Sequence, residues 1–308
     1  MTVSGKIPVL QIGAMPQAAE ALLADRFELA AFAGEAEALA AASRLSGVRG
    51  IATTGKALIG AELIQALPGL RVISCLGAGF DGIDVAAAQA RGVGIATTSG
   101  VLAADVADVA MGLVIATARD FVDADRFVRE GGWAKGRYPL GRSLGGARLG
   151  IVGLGNIGKA VARRASAFDM QVAYTARRQV EGAPWFYFAE LAELARWSRF
   201  LVLCCPGGPT TYRLVDGGVL SALGTDGILI NVARGSVVDE TALAQAVETG
   251  TIAGAGLDVF EDEPKPHPAL LASPRVTLLP HIGSATVETR QRMAQAMVDA
   301  LASALEVR

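Results

Sequence analysis

Short apolar runs alternate with longer, alanine-rich segments through the first hundred residues of the chain. Runs bounded by turn residues predict strands, and stretches with apolar positions every three or four residues predict helices. The alanine-rich stretch 30–42 also predicts a helix. This alternation is typical of a parallel sheet whose strands are joined by helical crossovers. The predicted strands are 9–12, 50–53, 72–76 and 94–97, and the helices between them include 15–25, 57–66 and 85–91.

The same alternation resumes near residue 149 and yields a second set of strands. One long helix over 104–130, opened by Ala104 or Asp105 and ended by Gly131 and Gly132, is predicted to join the two sets. An amphipathic stretch at 286–307 predicts the last helix. The pattern therefore predicts an α/β fold with two Rossmann-like domains and parallel sheets. The six strands of the second set are 149–152, 172–174, 200–204, 228–231, 254–258 and 276–279.

A glycine-rich turn follows the first strand of the second set. Gly153, Gly155 and Gly158 fit the spacing G-x-G-x-x-G, between an apolar strand and a helical stretch. In that motif the glycines allow a tight turn, a close backbone approach to a pyrophosphate and close helix packing. The helix start then presents free N–H groups and a partial positive charge to the phosphates. The turn predicts a dinucleotide site.

The next strand ends in a sequence that bears on the choice of dinucleotide. An NAD site places a carboxylate there for the ribose 2′-hydroxyl, but this chain has Ala176, Arg177 and Arg178. Guanidinium groups suit a 2′-phosphate because they bind phosphate oxygens with charge assistance. The alternative is a solvated loop. We expect NADPH or NADP to be preferred, with NADH or NAD also possible.

Composition narrows the class of protein. The chain has 308 residues, 52% hydrophobic and 19% charged, enough for two domains with their own cores. Its net charge of −2 and lack of a long basic run argue against a nucleic-acid partner. A mean hydropathy of +0.40 reflects alanine and glycine, and no unbroken apolar run reaches the roughly 18 residues of a membrane span. The odd cysteine count, 3, without metal-ligand spacing, predicts reduced thiols in a cytoplasmic protein without a metal.

The chain has two histidines, which limits the candidates for a general acid. His267 lies in a proline-rich loop and is expected at the surface. His281 follows the last predicted strand, at the sheet edge where open α/β folds bind ligands. Taken alone, His281 is as compatible with a structural role as with a catalytic one.

Two neighbouring segments favour the catalytic role. Arg234 follows the strand at 228–231, and acidic residues that include Glu263 follow the strand at 254–258. A glutamate beside a histidine stabilises the imidazolium and fixes the tautomer. An arginine can pair with a substrate carboxylate and polarise its carbonyl. Arg234, His281 and an acid from the segment after 254–258 are therefore the predicted catalytic set for hydride transfer to a carbonyl.

These segments together resemble the D-isomer-specific 2-hydroxyacid dehydrogenase family. The resemblance covers nearly the whole chain and is closest to the glyoxylate/hydroxypyruvate and hydroxyphenylpyruvate reductase branch. It implies a flavodoxin-like substrate domain of residues 1–99 plus 285–308 and an NAD(P)-binding domain of residues 100–284. The matching segments are 77–84, 105–108, 153–158, 231–239, 256–264 and 280–284.

The resemblance also implies roles for individual residues. His281 would be the acid in reduction and the base in oxidation, Glu263 its partner, and Arg234 the carboxylate anchor. Backbone N–H groups of Ala78 and Gly79 would receive the substrate carboxylate, with Leu76 and Gly77 beside them. The implied cofactor contacts are Val106, Gly153, Gly155, Asn156, Ile157, Gly158, Ala176, Arg177, Arg178, Cys205, Pro206, Thr211, Val232, Ala233, Arg234, Asp258, His281, Gly283 and Ser284.

Substrate and assembly follow from the same resemblance. Family members are usually dimers, so a homodimer is expected, with Trp133 near the contact. The expected reaction is the reduction of small 2-keto acids such as glyoxylate and hydroxypyruvate to D-2-hydroxy acids. Aryl or alkyl pyruvates are the alternative substrates, and phosphite oxidation stays open. A nucleotide-sensing protein on this fold, without catalysis, is the alternative from another class.

Overall fold

The computed structural model describes residues 5–305, which divide into two compact units. The first unit comprises residues 5–102 and 286–305, and the second comprises residues 103–285. The boundaries predicted from the sequence, after residue 99 and before residue 285, lie close to these divisions.

Twelve strands form in the described part of the chain, and each pairs in parallel with its neighbours. Most are short, buried runs of β-branched and other aliphatic residues, as expected for sheets covered on both faces. The strands are β1 (Pro8–Ile12), β2 (Glu28–Phe32), β3 (Gly50–Thr54), β4 (Val72–Leu76), β5 (Gly94–Thr97), β6 (Arg148–Val152), β7 (Gln171–Thr175), β8 (Phe186–Tyr187), β9 (Phe200–Leu203), β10 (Ile228–Asn231), β11 (Gly254–Leu257) and β12 (Val276–Leu278).

Twelve α-helices connect or follow these strands in residues 5–305. Three single turns of 3₁₀ helix, at Ala42–Arg44, Gly132–Ala134 and Gly235–Val237, complete the regular structure there. The helices are α1 (Gln17–Arg26), α2 (Glu35–Ala40), α3 (Ala61–Ala66), α4 (Val85–Ala90), α5 (Ser99–Ala118), α6 (Phe121–Arg129), α7 (Asn156–Ala167), α8 (Leu191–Trp197), α9 (Gly217–Leu223), α10 (Glu240–Thr249), α11 (Pro268–Ala272) and α12 (Val287–Ala304).

The first unit is built on a five-stranded sheet in the order β2-β1-β3-β4-β5. This is the flavodoxin-like order, with its switch point between β1 and β3. One face packs on α2, α3 and α4 through a cluster that includes Leu10, Ile51 and Ile73. Helix α12 packs closely on β3, because a Cβ at Gly50 would lie 3.0 Å from the side chain of Leu301. The first unit therefore uses both the start and the end of the described chain.

The second unit is built on a seven-stranded sheet in the order β12-β11-β10-β9-β6-β7-β8. The chain runs outward from β6 through β7 to β8, then returns to β9 and continues the other way. The switch point therefore lies between β6 and β9, where an open α/β sheet binds its ligand beyond the carboxyl ends of the strands. The two parallel sheets confirm the predicted fold class.

The long helix predicted over 104–130 is wrong in its bounds and its continuity. The carbonyl of Thr98 accepts from the N–H groups of Val101 and Leu102, so α5 begins at Ser99. Asp120 adopts a left-handed conformation, φ 49°, which ends α5 and starts a separate α6. Aspartate tolerates that region better than most residues. Gly131, at φ 73°, ends α6 as predicted.

Two further predictions of secondary structure are corrected. Residues 30–32 belong to β2, which pairs with β1 at the sheet edge, so the helix predicted over 30–42 shrinks to α2. The second sheet has seven strands and not six, because β8 adds a two-residue strand beside β7.

Among the described residues, one helix is long and apolar enough to cross a membrane by length and composition alone. It is α5, and half of its apolar window is buried inside the protein, which is typical of a core helix.

Candidate active site

The three glycines of the phosphate turn play three different structural parts. Gly153 has a φ of 95°, and a Cβ there would lie 2.8 Å from the backbone of Cys205. A Cβ at Gly158 would collide with the carbonyl of Gly153, so this glycine allows α7 to pack against the turn. Gly155 is exposed and meets nothing within 4 Å. The open position is the one where a pyrophosphate would approach the backbone.

Helix α7 starts directly after this glycine, at Asn156. No side chain caps the helix, and Asn156 and Ile157 form its first two positions. The first N–H groups of a helix have no partner within it and carry a partial positive charge. The turn and the helix start therefore fit a pyrophosphate.

The end of β7 is tied to the phosphate turn, because Gly153 donates its N–H to Thr175 O at 2.9 Å. Arg177 and Arg178 follow, and both are exposed. Two tyrosines hold this loop by hydrogen bonds that the sequence did not predict. The Tyr174 hydroxyl accepts from Val180 N at 2.9 Å, and the Tyr187 hydroxyl donates to Ala176 O at 3.3 Å. A fixed loop with two exposed guanidinium groups fits a phosphate on the ribose.

The loop after β9 faces the same switch point. Thr211 donates its hydroxyl to Pro206 O at 2.7 Å and closes the loop. Cys204 and Cys205 are partly buried and lie just after β9, and Cys205 packs against the core, whereas Cys75 is fully buried. Burial raises the pKa of the Cys205 thiol to about 11 and raises the pKa of Cys204 as well. Both thiols are therefore uncharged at neutral pH and do not repel an anionic cofactor.

A histidine–glutamate pair lies beyond β11 and β12. His281 Nδ1 is 2.9 Å from Glu263 Oε2 and 3.0 Å from Oε1. An ionised Glu263 makes Nδ1 the proton-bearing nitrogen, so Nε2 is the atom left to exchange a proton with a substrate. The glutamate side chain is 17% exposed and the histidine side chain 36%. Glu263 is therefore largely buried, whereas the His281 ring is accessible enough to meet a substrate.

Asp258 fixes the backbone just after this histidine. Its Oδ1 accepts from Ile282 N and its Oδ2 from Gly283 N, both at 2.8 Å. The carboxylate is 2% exposed, and burial raises its pKa, while the two hydrogen bonds oppose that shift. His281 itself has a φ of 55°, which is rare for a residue with a side chain. Asp258 therefore stabilises the unusual backbone that presents His281.

Arg234 lies on a turn closed by an asparagine. Asn231 accepts from Ala233 N at 3.0 Å and donates to Arg234 O at 2.9 Å. Arg234 Nη1 donates to Ala233 O at 2.7 Å, and the next residue, Gly235, leaves no room for a side chain against the backbone of Phe260. The arginine turn is therefore packed directly on the segment that leads to Glu263. Val232 and Ala233 are buried in the same turn.

The predicted substrate loop lies in the first unit, at the end of β4. Leu76 is buried, and Gly77 adopts a φ of 157°. The N–H of Gly77 donates to Thr98 Oγ1 at 3.0 Å, and its carbonyl accepts from Thr98 N at 2.9 Å. The backbone of Ala78 and Gly79 thus follows a glycine whose conformation is fixed from both sides.

The remaining candidate residues differ in their burial and contacts. Val106 lies beside Gly283, where a Cβ would meet it at 3.4 Å, and Ser284 follows with partial exposure. His267, predicted at the surface, is half-buried and caps α11, since its Nδ1 accepts from Ala269 N at 3.3 Å. Asn231 could have been found from its place in the motif before Arg234. The tyrosines that hold the arginine loop left no signal in the sequence.

The comparisons with known proteins agree with this geometry. The profile described as "D-isomer specific 2-hydroxyacid dehydrogenase, NAD binding domain" matches residues 111–283, more than half of the chain. The chain belongs to the D-isomer specific 2-hydroxyacid dehydrogenase family, as the motifs predicted, and is therefore an NAD(P)-dependent oxidoreductase.

Three similar proteins carry informative names. A 2-ketogluconate reductase of Gluconobacter oxydans is 46% identical over 254 residues, which are 82% of each chain. A hydroxyphenylpyruvate reductase of Plectranthus scutellarioides is 43% identical over 82% of this chain and 80% of its own. The NADPH-dependent glyoxylate/hydroxypyruvate reductase of Sinorhizobium meliloti, solved with NADP and malonate, has a TM-score of 0.89. It is 41% identical, and the match covers 97% of this chain and 93% of that one.

Proposed function

We propose that the chain reduces small 2-keto acids, such as glyoxylate and hydroxypyruvate, to D-2-hydroxy acids with NADPH. The observation that carries the proposal is the bond between His281 and Glu263 beside the turn that presents Arg234. A proton donor, its fixed carboxylate and a carboxylate-binding cation are what reduction of a keto acid requires. The name of the Sinorhizobium meliloti neighbour supports the same substrates and cofactor.

The cofactor preference rests on the end of β7. Arg177 and Arg178 are exposed on a loop that two tyrosines hold, with an alanine where an NAD site carries a carboxylate. We assign the 2′-phosphate to these arginines, and the pyrophosphate to the backbone of Asn156 and Ile157. NADH is expected to bind more weakly.

The remaining predicted cofactor contacts belong to the same proposal. Asp258 is assigned to the nicotinamide carboxamide, through lone pairs left after its two backbone hydrogen bonds. The other contacts assigned to the cofactor are Val106, Cys205, Pro206, Thr211, Val232, Ala233, Gly283 and Ser284.

Each catalytic side chain has one task in reduction. Arg234 binds the substrate carboxylate and draws electron density from the keto oxygen. When bound, NADPH supplies the hydride to the keto carbon. His281 delivers the Nε2 proton to the oxygen as negative charge develops there, and Glu263 stabilises the imidazolium before transfer. For the first unit taken by itself, the N–H groups of Ala78 and Gly79 are the proposed carboxylate-binding groups.

A panel of substrates tests the proposal. Initial rates with NADPH would be measured for glyoxylate, hydroxypyruvate, 4-hydroxyphenylpyruvate and 2-ketogluconate at matched concentrations. We expect the highest kcat/KM for glyoxylate or hydroxypyruvate. A much higher value for 4-hydroxyphenylpyruvate would favour the aryl-pyruvate alternative, which the Plectranthus scutellarioides relative supports.

A second candidate substrate comes from the comparisons. The 46% identity to a 2-ketogluconate reductase favours a sugar-derived keto acid, with the same carboxylate and keto groups but a longer polyol chain. A dominant rate with 2-ketogluconate would select it. Binding of NADPH without turnover of any of the four acids would favour a nucleotide-sensing protein.

We also propose that the chain forms a homodimer through α6 and the segment after it. Large apolar side chains are exposed there, and Trp133 is 70% and Leu140 99% exposed. Exposed apolar groups of this size are typical of contact surfaces. Light scattering of the wild type and of Trp133→Ser tests this, since the variant should shift towards monomer.

We also propose that the protein is cytoplasmic and has no nucleic-acid or membrane partner. The net charge of −2 and the odd number of cysteines, 3, support it. Fractionation of cells that produce the protein would test it, with recovery in the membrane pellet as the contrary result.

A further inference from the structure

Glu240 is a buried carboxylate that the proposed mechanism does not use. It is the first residue of α10, just after Asp239, which caps the helix by accepting from Ala242 N at 3.0 Å. The cap already serves the start of the helix, yet Glu240 is only 7% exposed. A carboxylate is rarely buried without partners that compensate for lost hydration. Its partners therefore indicate what it does.

The hydrogen-bond partner of Glu240 lies on the segment that carries Glu263. Glu240 Oε1 accepts from Glu261 N at 2.6 Å. Burial raises the pKa of Glu240, whereas the backbone N–H groups of Glu261 and His267 oppose the shift. One buried side chain thus binds the start of the segment 261–267, and the backbone at its other end contributes to the same carboxylate's surroundings.

Other described contacts of the same segment are exposed or internal to it. The Glu261 side chain accepts from the Tyr212 hydroxyl at 3.4 Å and lies 3.2 Å from Arg213 Nη2, but Arg213 is 43% exposed, and an ion pair open to water contributes little. Within the segment, Phe260 N donates to Glu263 Oε1 at 3.3 Å. Of these described contacts, the one that Glu240 makes joins α10 to the backbone around Glu263, and its side chain is shielded from water.

We propose that Glu240 is a positioning residue for proton transfer, which holds segment 261–267 so that Glu263 stays hydrogen-bonded to His281. The inference rests on the proposed function for its effect on rate, but not for its effect on the backbone. The charged or titratable groups around Glu240 are Glu261, His267 and the neighbouring Asp239, with Arg213 reaching Glu261 and Asp239 and Tyr212 reaching Glu261. A shift of Glu263 by a fraction of its hydrogen-bond length would leave the imidazolium of His281 without a fixed partner.

The test compares Glu240→Ala, Glu240→Gln and a matched control, Asp216→Ala. Asp216 also accepts two backbone N–H bonds, from Gly218 and Val219, but both lie in α9, which Asp216 caps. We expect Glu240→Ala to lower kcat by about 10- to 100-fold, up to the cost of a misplacement of about 1 Å in an active site, with KM for NADPH unchanged. Glu240→Gln keeps one acceptor oxygen and should recover part of the rate.

The pH profile separates positioning from general loss of structure. With Glu263 displaced, proton transfer from His281 is altered, so the dependence of kcat for reduction on pH should change in Glu240→Ala. Partial unfolding would scale the whole profile down without moving it. An unmoved profile, or an equal loss of kcat in Asp216→Ala, would overturn the proposal.

Hydrogen–deuterium exchange gives a readout that needs no substrate. Peptides covering 260–267 should exchange faster in Glu240→Ala, while Asp216→Ala should affect only the start of α9. Unchanged exchange over 260–267 would overturn the proposal even if the wild type reduced none of the four keto acids. If Glu240→Ala failed to fold, Glu240→Gln would decide on the same two readouts.

Discussion

The carboxyl edges of the two sheets share a topology but differ in chemistry. In both sheets all strands are parallel, and at a switch point the chain stops adding strands on one side and continues on the other. The edge of the five-stranded sheet offers Leu76 and a glycine-rich backbone, whereas the seven-stranded sheet is followed by Arg234, Glu263 and His281. The loops, and not the strand order, therefore decide which unit carries proton transfer.

The difference predicts two kinds of mutational effect. Changes at His281 and Glu263, beyond the seven-stranded sheet, should act on kcat, because these side chains are proposed to take part in proton transfer, and a change at Arg234 should act on kcat/KM. Changes at the five-stranded sheet should act on KM, because the backbone of Ala78 and Gly79 is proposed to orient the substrate carboxylate. The predictions below test that division.

The largest effect is expected for His281→Ala. It removes the proton donor, so kcat for glyoxylate should fall by about 10²–10⁴, the usual contribution of a general acid. NADPH affinity, measured by fluorescence titration, should stay close to the wild-type value. His267→Ala is the control, since it removes the only other histidine, which caps a helix. Near-normal turnover of His281→Ala would remove this residue from the mechanism.

The second-largest effect is expected for Arg234→Ala. Loss of the guanidinium removes both the carboxylate anchor and the polarising cation, so kcat/KM for keto acids should fall about 100-fold. Arg234→Lys keeps the charge but loses the bidentate geometry, and should recover only part of the loss. Steady-state kinetics of both variants measure this. An unchanged kcat/KM in Arg234→Ala would place the carboxylate site elsewhere.

Arg177→Ala tests the proposed binding of the 2′-phosphate by the loop after β7. It should weaken NADPH by about 1–3 kcal/mol, the size of a hydrogen bond to a charged group, and leave NADH affinity nearly unchanged. Arg196→Ala is a suitable control because Arg196 is exposed on α8. Equal NADPH affinity in wild type and Arg177→Ala would mean that Arg177 contacts only solvent.

The smallest effect is expected for Gly77→Ala in the five-stranded unit. A Cβ has room there, but a φ of 157° is unfavourable for alanine. The loop should shift, and KM for glyoxylate should rise about fivefold with kcat retained, for a strain of about 1 kcal/mol. A loss confined to kcat would contradict the proposed division between the sheets.

Much of the fold could be predicted because its strands are strongly apolar. Strands β4, β5 and β10 have the predicted bounds, since each is a short aliphatic run between turn residues. The alanines of β2 gave no such signal, because alanine favours helix locally while the pairing with β1 decides the outcome. The break at Asp120 depends on a single left-handed residue, which composition does not reveal.

The candidate site shows a similar limit. The pairing of His281 with Glu263 could be expected from motifs, because each residue follows a predicted strand of one sheet. Glu240 could not, because a glutamate at a helix start is usually a solvated residue. Its burial against Glu261 depends on tertiary packing, as does the loop that Tyr174 and Tyr187 hold.

The most direct test of the account is a side-by-side measurement of initial rates of glyoxylate reduction with NADPH and with NADH at one fixed glyoxylate concentration. Reduction with both, and a strong preference for NADPH, is the predicted result, because Arg177 and Arg178 stand where an NAD site carries a carboxylate. A preference for NADH would contradict the cofactor assignment. No rate with either cofactor would contradict the assignment of glyoxylate as substrate.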